Sequence, residues 1–125
     1  YFTKNGVLQL CRRGAAVKKA PERWQDSHVS HDVVIAFEER IFDAIIEDLQ
    51  MREPESLTPI HVICLDTKDN PHEATISGQV CLDLCWRLEQ NADSLETEAS
   101  RIIDEFQQER EAVTQIKVLY QVCYL

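Results

Sequence analysis

The chain has 125 residues, 44% hydrophobic and 28% charged, with 3 Gly and 4 Pro. That length fits one domain over residues 1–125, able to bury roughly two thirds of its unfolded surface, and the composition excludes collagen, low-complexity and loop-rich disulfide scaffolds. The net charge of −9 is lopsided: residues 1–23 carry Lys4, Arg12, Arg13, Lys18, Lys19 and Arg23 against Glu22 alone, and the remainder is strongly acidic. An acidic body repels polyanions, so direct nucleic-acid binding is not expected.

Residues 1–13 are expected to form the end of a helix, with Val7, Leu8, Leu10 and Cys11 on a partial apolar face and Gly14 as its stop. Residues 14–30 are basic and polar and read as a loop, either merely solvated or attracting an anionic ligand. Residues 33–37 are a nearly continuous β-branched run, which predicts a strand covered on both faces. Residues 38–52 follow as a helix whose stripe is Ile41, Phe42, Ile45, Ile46 and Leu49, with Glu38 and Glu39 at its start and Arg52 at its end.

Pro54 and Pro59 bracket a loop, and residues 60–65 predict a second buried strand. Residues 66–73, Asp-Thr-Lys-Asp-Asn-Pro-His-Glu, have the chemistry of a polar turn. A helix is expected over about 74–90, with Val80, Cys81, Leu84, Cys85 and Leu88 on one face. Residues 91–93 break it. A further helix over about 94–112 carries Leu95, Ala99, Ile102, Ile103, Phe106 and Val113. Residues 116–124 alternate Ile116, Val118, Tyr120, Val122 and Tyr124, as in a half-covered strand. Strands alternating with helices define an α/β fold with a mainly parallel sheet, here a thin one of three strands.

No apolar run approaches a membrane span and no signal-peptide pattern opens the chain, so a soluble intracellular protein without membrane contact is expected. Residue 1 is Tyr, and a fragment or processed product is therefore expected. None of the five cysteines forms Cys-x-x-Cys. Cys64, Cys81, Cys85 and Cys123 sit among apolar residues and are expected as buried thiols in a reducing compartment. His28 and His31 have no evident companions of ligand spacing, so neither a metal nor another cofactor is expected.

Ligands of open parallel sheets bind beyond the carboxyl ends of the strands. Two loops qualify: Glu38-Glu39-Arg40, and residues 66–73 with Asp66 and Asp69. A carboxylate there can serve as general acid or base, although Asp and Asn are also common in such loops as turn formers and caps. Cys81-x5-Arg87 has the spacing of a cysteine-phosphatase loop, but the intervening Leu-Asp-Leu-Cys-Trp has helical periodicity, lacks Gly and would place Asp83 in the phosphate cradle. That chemistry needs inward-pointing backbone N–H groups, so the match is rejected.

Several segments together resemble the suppressor-of-sua phosphatases, the serine phosphatases of the RNA polymerase II C-terminal domain. They are Asn-Gly-Val-Leu (5–8), Ala-Pro-Glu-Arg-Trp-Gln (20–25), Glu-Glu-Arg-Ile-Phe-Asp (38–43), Glu-Asp-Leu (47–49), His-Val-Ile-Cys-Leu-Asp-Thr-Lys-Asp-Asn-Pro-His-Glu-Ala-Thr (61–75) and Val-Cys-Tyr (122–124). The resemblance implies a parallel-sheet fold like that of low-molecular-weight tyrosine phosphatases, of which this chain would be the C-terminal two thirds. It implies a metal-free enzyme with a Cys-x5-Arg-Ser nucleophile loop after the first strand. That loop is expected upstream of residue 1, so the nucleophile-bearing part would be missing and this chain alone inactive.

The implied reaction removes phosphate from the fifth-position serine of the Tyr-Ser-Pro-Thr-Ser-Pro-Ser heptad, followed by a cis proline, through a cysteinyl-phosphate. The implied setting is the nucleus, in transcription and pre-mRNA 3'-end processing, with the scaffold symplekin as partner. Carried over by position, Asp69 is the general acid, Asp66 its support, and Phe2, Val7 and Leu10 line the proline pocket. The alternative is a catalytically inert partner-binding module.

Overall fold

The computed structural model describes residues 31–52, 58–113 and 116–124, together with Ala16, Ala20, Arg23 and Trp24. The helix expected over residues 1–13 lies outside the described residues. Strand β1 (Val33–Ala36) leads into helix α1 (Glu39–Met51), and strand β2 (Pro59–Asp66) into helix α2 (Pro71–Gln90). A 3-10 turn (Ala92–Ser94), helix α3 (Leu95–Val113) and strand β3 (Lys117–Tyr124) complete the order. The strands form one sheet in the order β1-β2-β3.

β2 is the central strand, and residues 60–65 within it are all buried. Its side chains alternate between two cores. Ile60, Val62 and Cys64 join Phe42, Ile45, Ile46 and Leu49 of α1 on one face. Ile63 and Leu65 meet Val80, Leu84 and Leu88 of α2 and Ala99, Ile102, Ile103 and Phe106 of α3 on the other. The result is a helix–sheet–helix sandwich, which is why β2 reads as an unbroken apolar run rather than an alternating one. Trp24 joins the α1 layer, donating from Nε1 to Asp48 Oδ2 at 2.8 Å, while Arg52 lies over its ring at 5.5 Å.

β1 pairs with β2 in parallel, with Val33 opposite His61 and Ala36 opposite Cys64. β3 pairs with β2 antiparallel, from Pro59 opposite Tyr124 to Asp66 opposite Lys117. The sheet is thus parallel only in its first half. Two consecutive helices cross the same face between β2 and β3, so the chain returns to the end where β2 stopped and the next strand must run back.

Several sequence expectations shift. β3 is not half-covered: Val118 faces α3, while Leu119 and Cys123 join the α1 layer. Tyr124, expected on the covered face, is 57% exposed. β1 ends at Ala36, and its other three residues are only half-buried. α2 begins at Pro71, three residues earlier than periodicity indicated, because Asn70 caps it and proline is favoured in a first turn. No described helix is long and apolar enough to cross a membrane.

Phe106 is fully buried between the guanidinium groups of Arg87 and Arg110, each 5.5 Å from its ring centroid. Phe106→Ala should therefore cost about 3–5 kcal/mol of unfolding free energy, read from urea titration. Leu82→Ala, at a position 73% exposed on α2, should stay within about 0.5 kcal/mol of the parent.

Candidate active site

The carboxyl ends of β1 and β2 lie side by side, tied one residue beyond the ladder by Thr67 N donating to Phe37 O at 2.9 Å. A groove of about 950 Å³ opens there, walled by Phe37, Glu38 and Ile41 on one side and by residues 67–71, Ala74 and Thr75 on the other. Asn70 N donates to Lys68 O at 2.9 Å and closes a three-residue turn with Asp69 at its centre. Asn70 then caps α2, its side chain accepting from Glu73 N at 2.9 Å. Asp69 is exposed to the groove, and its carboxylate has no hydrogen-bond or ion-pair partner among the described residues.

Asp66 does a different job. Its Oδ1 accepts from Glu39 N at 3.3 Å, at the start of α1, where the N-cap residue Glu38 makes no side-chain cap bond of its own. It therefore joins the end of β2 to the first turn of α1, whose exposed N–H groups need acceptors. The carboxylates around the groove are partly balanced. Glu39 pairs with Lys117 at 3.3 Å and Glu38 with Arg40 at 3.4 Å. Lys68 lines the groove with no ion-pair partner among the described residues.

No described cysteine lines the groove. Burial pushes the Cys64 thiol up to about 11, with Asp66, Glu39 and Asp43 adding to the effect. Burial and the neighbouring Cys85 push Cys81 to about 11, and burial raises Cys123. A thiol in these surroundings stays protonated at neutral pH and is a poor nucleophile. Two thiols depart from the expectation of burial: Cys81 is half-buried and Cys85 is exposed on α2.

Cys81-x5-Arg87 lies within continuous helix, as its periodicity required. Arg87 donates to Glu109 at 2.8 and 3.0 Å and to Asp83 Oδ1 at 3.2 Å, and Arg110 also donates to Asp83. Burial alone would raise the Asp83 carboxyl, but the hydrogen bonds from Arg110 and Arg87 outweigh it and hold it below its usual value. This cluster joins α2 to α3. Among the described residues no group of three or more His, Cys, Asp or Glu is placed to hold a metal ion.

Asp66 and Asp69 thus reach the same strand end, the first bonded to the Glu39 amide and the second unpartnered among the described residues. Phe2, Val7 and Leu10 lie outside the described residues. Periodicity assigned Ile41 to the core, yet Ile41 and Phe37 are each 44% exposed at the groove. Phe42, Ile45, Ile46 and Leu49 already complete the buried stripe of α1, so the first-turn Ile41 falls off it. Position next to a strand's carboxyl end was the available signal for both residues. A second cavity, about 430 Å³ and lined by Asp32, His61 and Asp93 among others, lies at the opposite, amino end of the parallel pair.

An α/β sandwich with an exposed, unpartnered carboxylate on a pinned turn at the carboxyl end of its central strand holds a titratable group where ligands of such sheets bind. The Ssu72-like protein family model matches residues 1–125, and the chain belongs to that family. It is 37% identical over 123 residues to the RNA polymerase II C-terminal domain phosphatase SSU72 of Danio rerio, covering 98% of this chain and 61% of that protein. It is 41% identical over 106 residues to the enzyme of the same name from Schizosaccharomyces pombe, covering 85% of this chain and 54% of that protein. The chain therefore spans little more than half the length of these relatives.

Among solved structures, it superposes with a TM-score of 0.87 and 27% identity on Drosophila melanogaster Ssu72 in complex with symplekin and a cis peptidomimetic C-terminal-domain peptide phosphorylated at its fifth-position serine. That match covers 99% of this chain and 63% of the other.

The Cys64 thiol is pushed up to about 11 in the folded chain, against a reference of 9.0. A folded-state value raised above the unfolded one contributes stability that is complete below the unfolded value and is lost as pH rises toward the folded one. Urea midpoints should therefore fall more steeply between about pH 9 and 11 in the parent than in Cys64→Ala. Parallel slopes would show that Cys64 ionises as freely folded as unfolded.

Proposed function

We propose that this chain carries the acid–base half of a cysteine-dependent phosphatase acting on the RNA polymerase II C-terminal domain, with Asp69 as the general acid. The observation that carries the proposal is the exposed, unpartnered carboxyl of Asp69, on a turn tied at both ends and facing a groove at the carboxyl end of β2. The activity named for the Danio rerio and Schizosaccharomyces pombe relatives supports the substrate, and the peptide in the Drosophila complex supports the fifth-position phosphoserine.

A serine alkoxide is a poor leaving group. As a thiolate attacks phosphorus and the P–O bond breaks, the protonated Asp69 carboxyl delivers its proton to the serine oxygen. The carboxylate then takes a proton from the water that hydrolyses the cysteinyl-phosphate, freeing the thiolate and phosphate. The mechanism needs a Cys-x5-Arg-Ser loop, which none of the five cysteines begins. The Danio rerio and Schizosaccharomyces pombe relatives extend beyond the matched segment, and the proposal assigns the loop to a longer protein of which this chain is a part, called full-length below. Phe2, Val7 and Leu10 line the proline pocket in this proposal, the enzyme works in the nucleus, and symplekin, present in the Drosophila complex, is the partner scaffold.

The lack of a Cys-x5-Arg-Ser loop, with the Cys64, Cys81 and Cys123 thiols raised by burial, favours a second reading for the 125 residues alone: a partner-binding module without catalysis. Phosphate release from a phosphoserine heptad peptide separates the two. The full-length protein should turn the peptide over and the 125-residue chain should not. Absence of activity in the full-length protein would leave only the binding module.

In the full-length protein, Asp69→Asn should lower kcat/KM for the phosphoserine peptide, which reports the phosphoryl-transfer step, by about 10²–10⁴-fold and kcat/KM for an activated aryl phosphate far less. Equal losses on both substrates would remove Asp69 from the role. Leu10→Asp should weaken use of the peptide much more than use of the aryl phosphate, and a matched effect would place the proline pocket elsewhere.

A further inference from the structure

Ser77 is 1% exposed, in the second turn of α2, at a helix position that packs toward the sheet. A buried hydroxyl without a partner costs about 1–3 kcal/mol, so its bonding determines why serine is tolerated there. Its partner is Thr67, with the two hydroxyl oxygens 2.6 Å apart. Thr67 Oγ1 also lies 2.7 Å from Leu65 O. A carbonyl only accepts, so the single hydroxyl hydrogen of Thr67 goes to Leu65 and Ser77 must be the donor to Thr67.

Thr67 is thus held three ways: N–H to Phe37 O, hydroxyl to Leu65 O, and hydroxyl oxygen to Ser77. It stands two residues before Asp69. Asn70, one residue after, is held by capping Glu73 and Ala74 in the first turn of α2. Both stems of the Asp69 turn are therefore referenced to the same helix, one through a cap and one through a buried hydroxyl pair.

We propose that Ser77 is a positioning residue for the Asp69 carboxyl group, acting through the Thr67 hydroxyl. The proposal rests on Asp69 being the general acid. An acid must reach the leaving oxygen at about 2.6–3.2 Å, and a displacement of about 1 Å can cost 10²-fold. Ser77 does not touch substrate. It keeps the first stem of the turn from sliding along β2, and so sets where the proton is delivered.

The test uses the full-length protein with two substrates, a phosphoserine heptad peptide and an aryl phosphate with a good leaving group. Ser77→Ala should lower kcat/KM on the peptide by about 10-fold and alter kcat/KM on the aryl phosphate by less than about 2-fold. Across phosphates of increasing leaving-group pKa, the decline in kcat/KM should be steeper than in the parent. Thr67→Val, which removes the acceptor, should behave likewise, and Thr67→Ser, which keeps it, should restore parental values.

Equal losses on both substrates, or no loss on the peptide, would overturn the proposal. If Ser77→Ala fails to fold, the Thr67→Val and Thr67→Ser pair decides by the same criteria. Asp69→Asn in the same assay separates the two levels. Substrate-independent loss there removes the general acid itself. Leaving-group-dependent loss in Asp69→Asn with a flat response in Ser77→Ala removes only the positioning role.

Discussion

The backbone of β2 is paired along both edges and its residues 60–65 are buried on both faces, so its register has no freedom. A slip by one residue would exchange Ile63 and Leu65 with Val62 and Cys64 and mismatch both cores at once. The position at which the strand stops is therefore set to within a residue. It stops at Asp66, and the side chains from there to Asn70 are divided between those bonded into the fold and those left free. Asp66 serves the first turn of α1, Thr67 is bonded to Phe37, Leu65 and Ser77, and Asn70 opens α2. Of this stretch, Lys68 and Asp69 are left with side chains free to meet something in the groove.

The second helical layer fixes α2 and, through it, one wall of that groove. α2 and α3 meet through Asp83, Arg87, Glu109 and Arg110, stacked around the buried ring of Phe106. The Asp83–Arg87 pair is about a quarter exposed, at 29% and 27%, so screening by water limits its strength. Its value is geometric: two guanidinium groups share one carboxylate and cover one aromatic ring, which selects a single relative placement of the helices. The exposed Arg101 pairs with Glu98 and Glu105 within α3 and contributes nothing to that placement.

The groove differs from the second cavity in a way that bears on chemistry. At the amino end of the parallel pair, His61 is buried, its ring nitrogen Nδ1 is 2.7 Å from the Tyr120 hydroxyl, and burial holds it below the usual imidazole range despite the nearby Asp32. There the titratable side chain is tied into the fold. At the carboxyl end the titratable side chain is the one left untied, because the chain is turning and the strand's neighbours have ended.

Apolar periodicity and turn chemistry are local properties of the chain. From them alone follow the α/β class, the order of the described elements, a buried strand over residues 60–65 and the loop that carries Asp66 and Asp69; that this strand is the central one of the described sheet is a tertiary result. They also exclude Cys81-x5-Arg87, since a helix and a phosphate-binding loop need incompatible backbones. Packing between distant segments settled the rest. The antiparallel direction of β3 follows from an even number of helix crossings on one face, the exposure of Ile41 from its place in the first turn of α1 at the groove, and the exposure of Cys85 from the face α2 turns to solvent. Periodicity and turn chemistry do not separate Asp66 from Asp69, three residues apart and identical in type; in the chain only the family resemblance told them apart. What distinguishes them is the Glu39 amide, 27 residues away, which packing brings to one and withholds from the other.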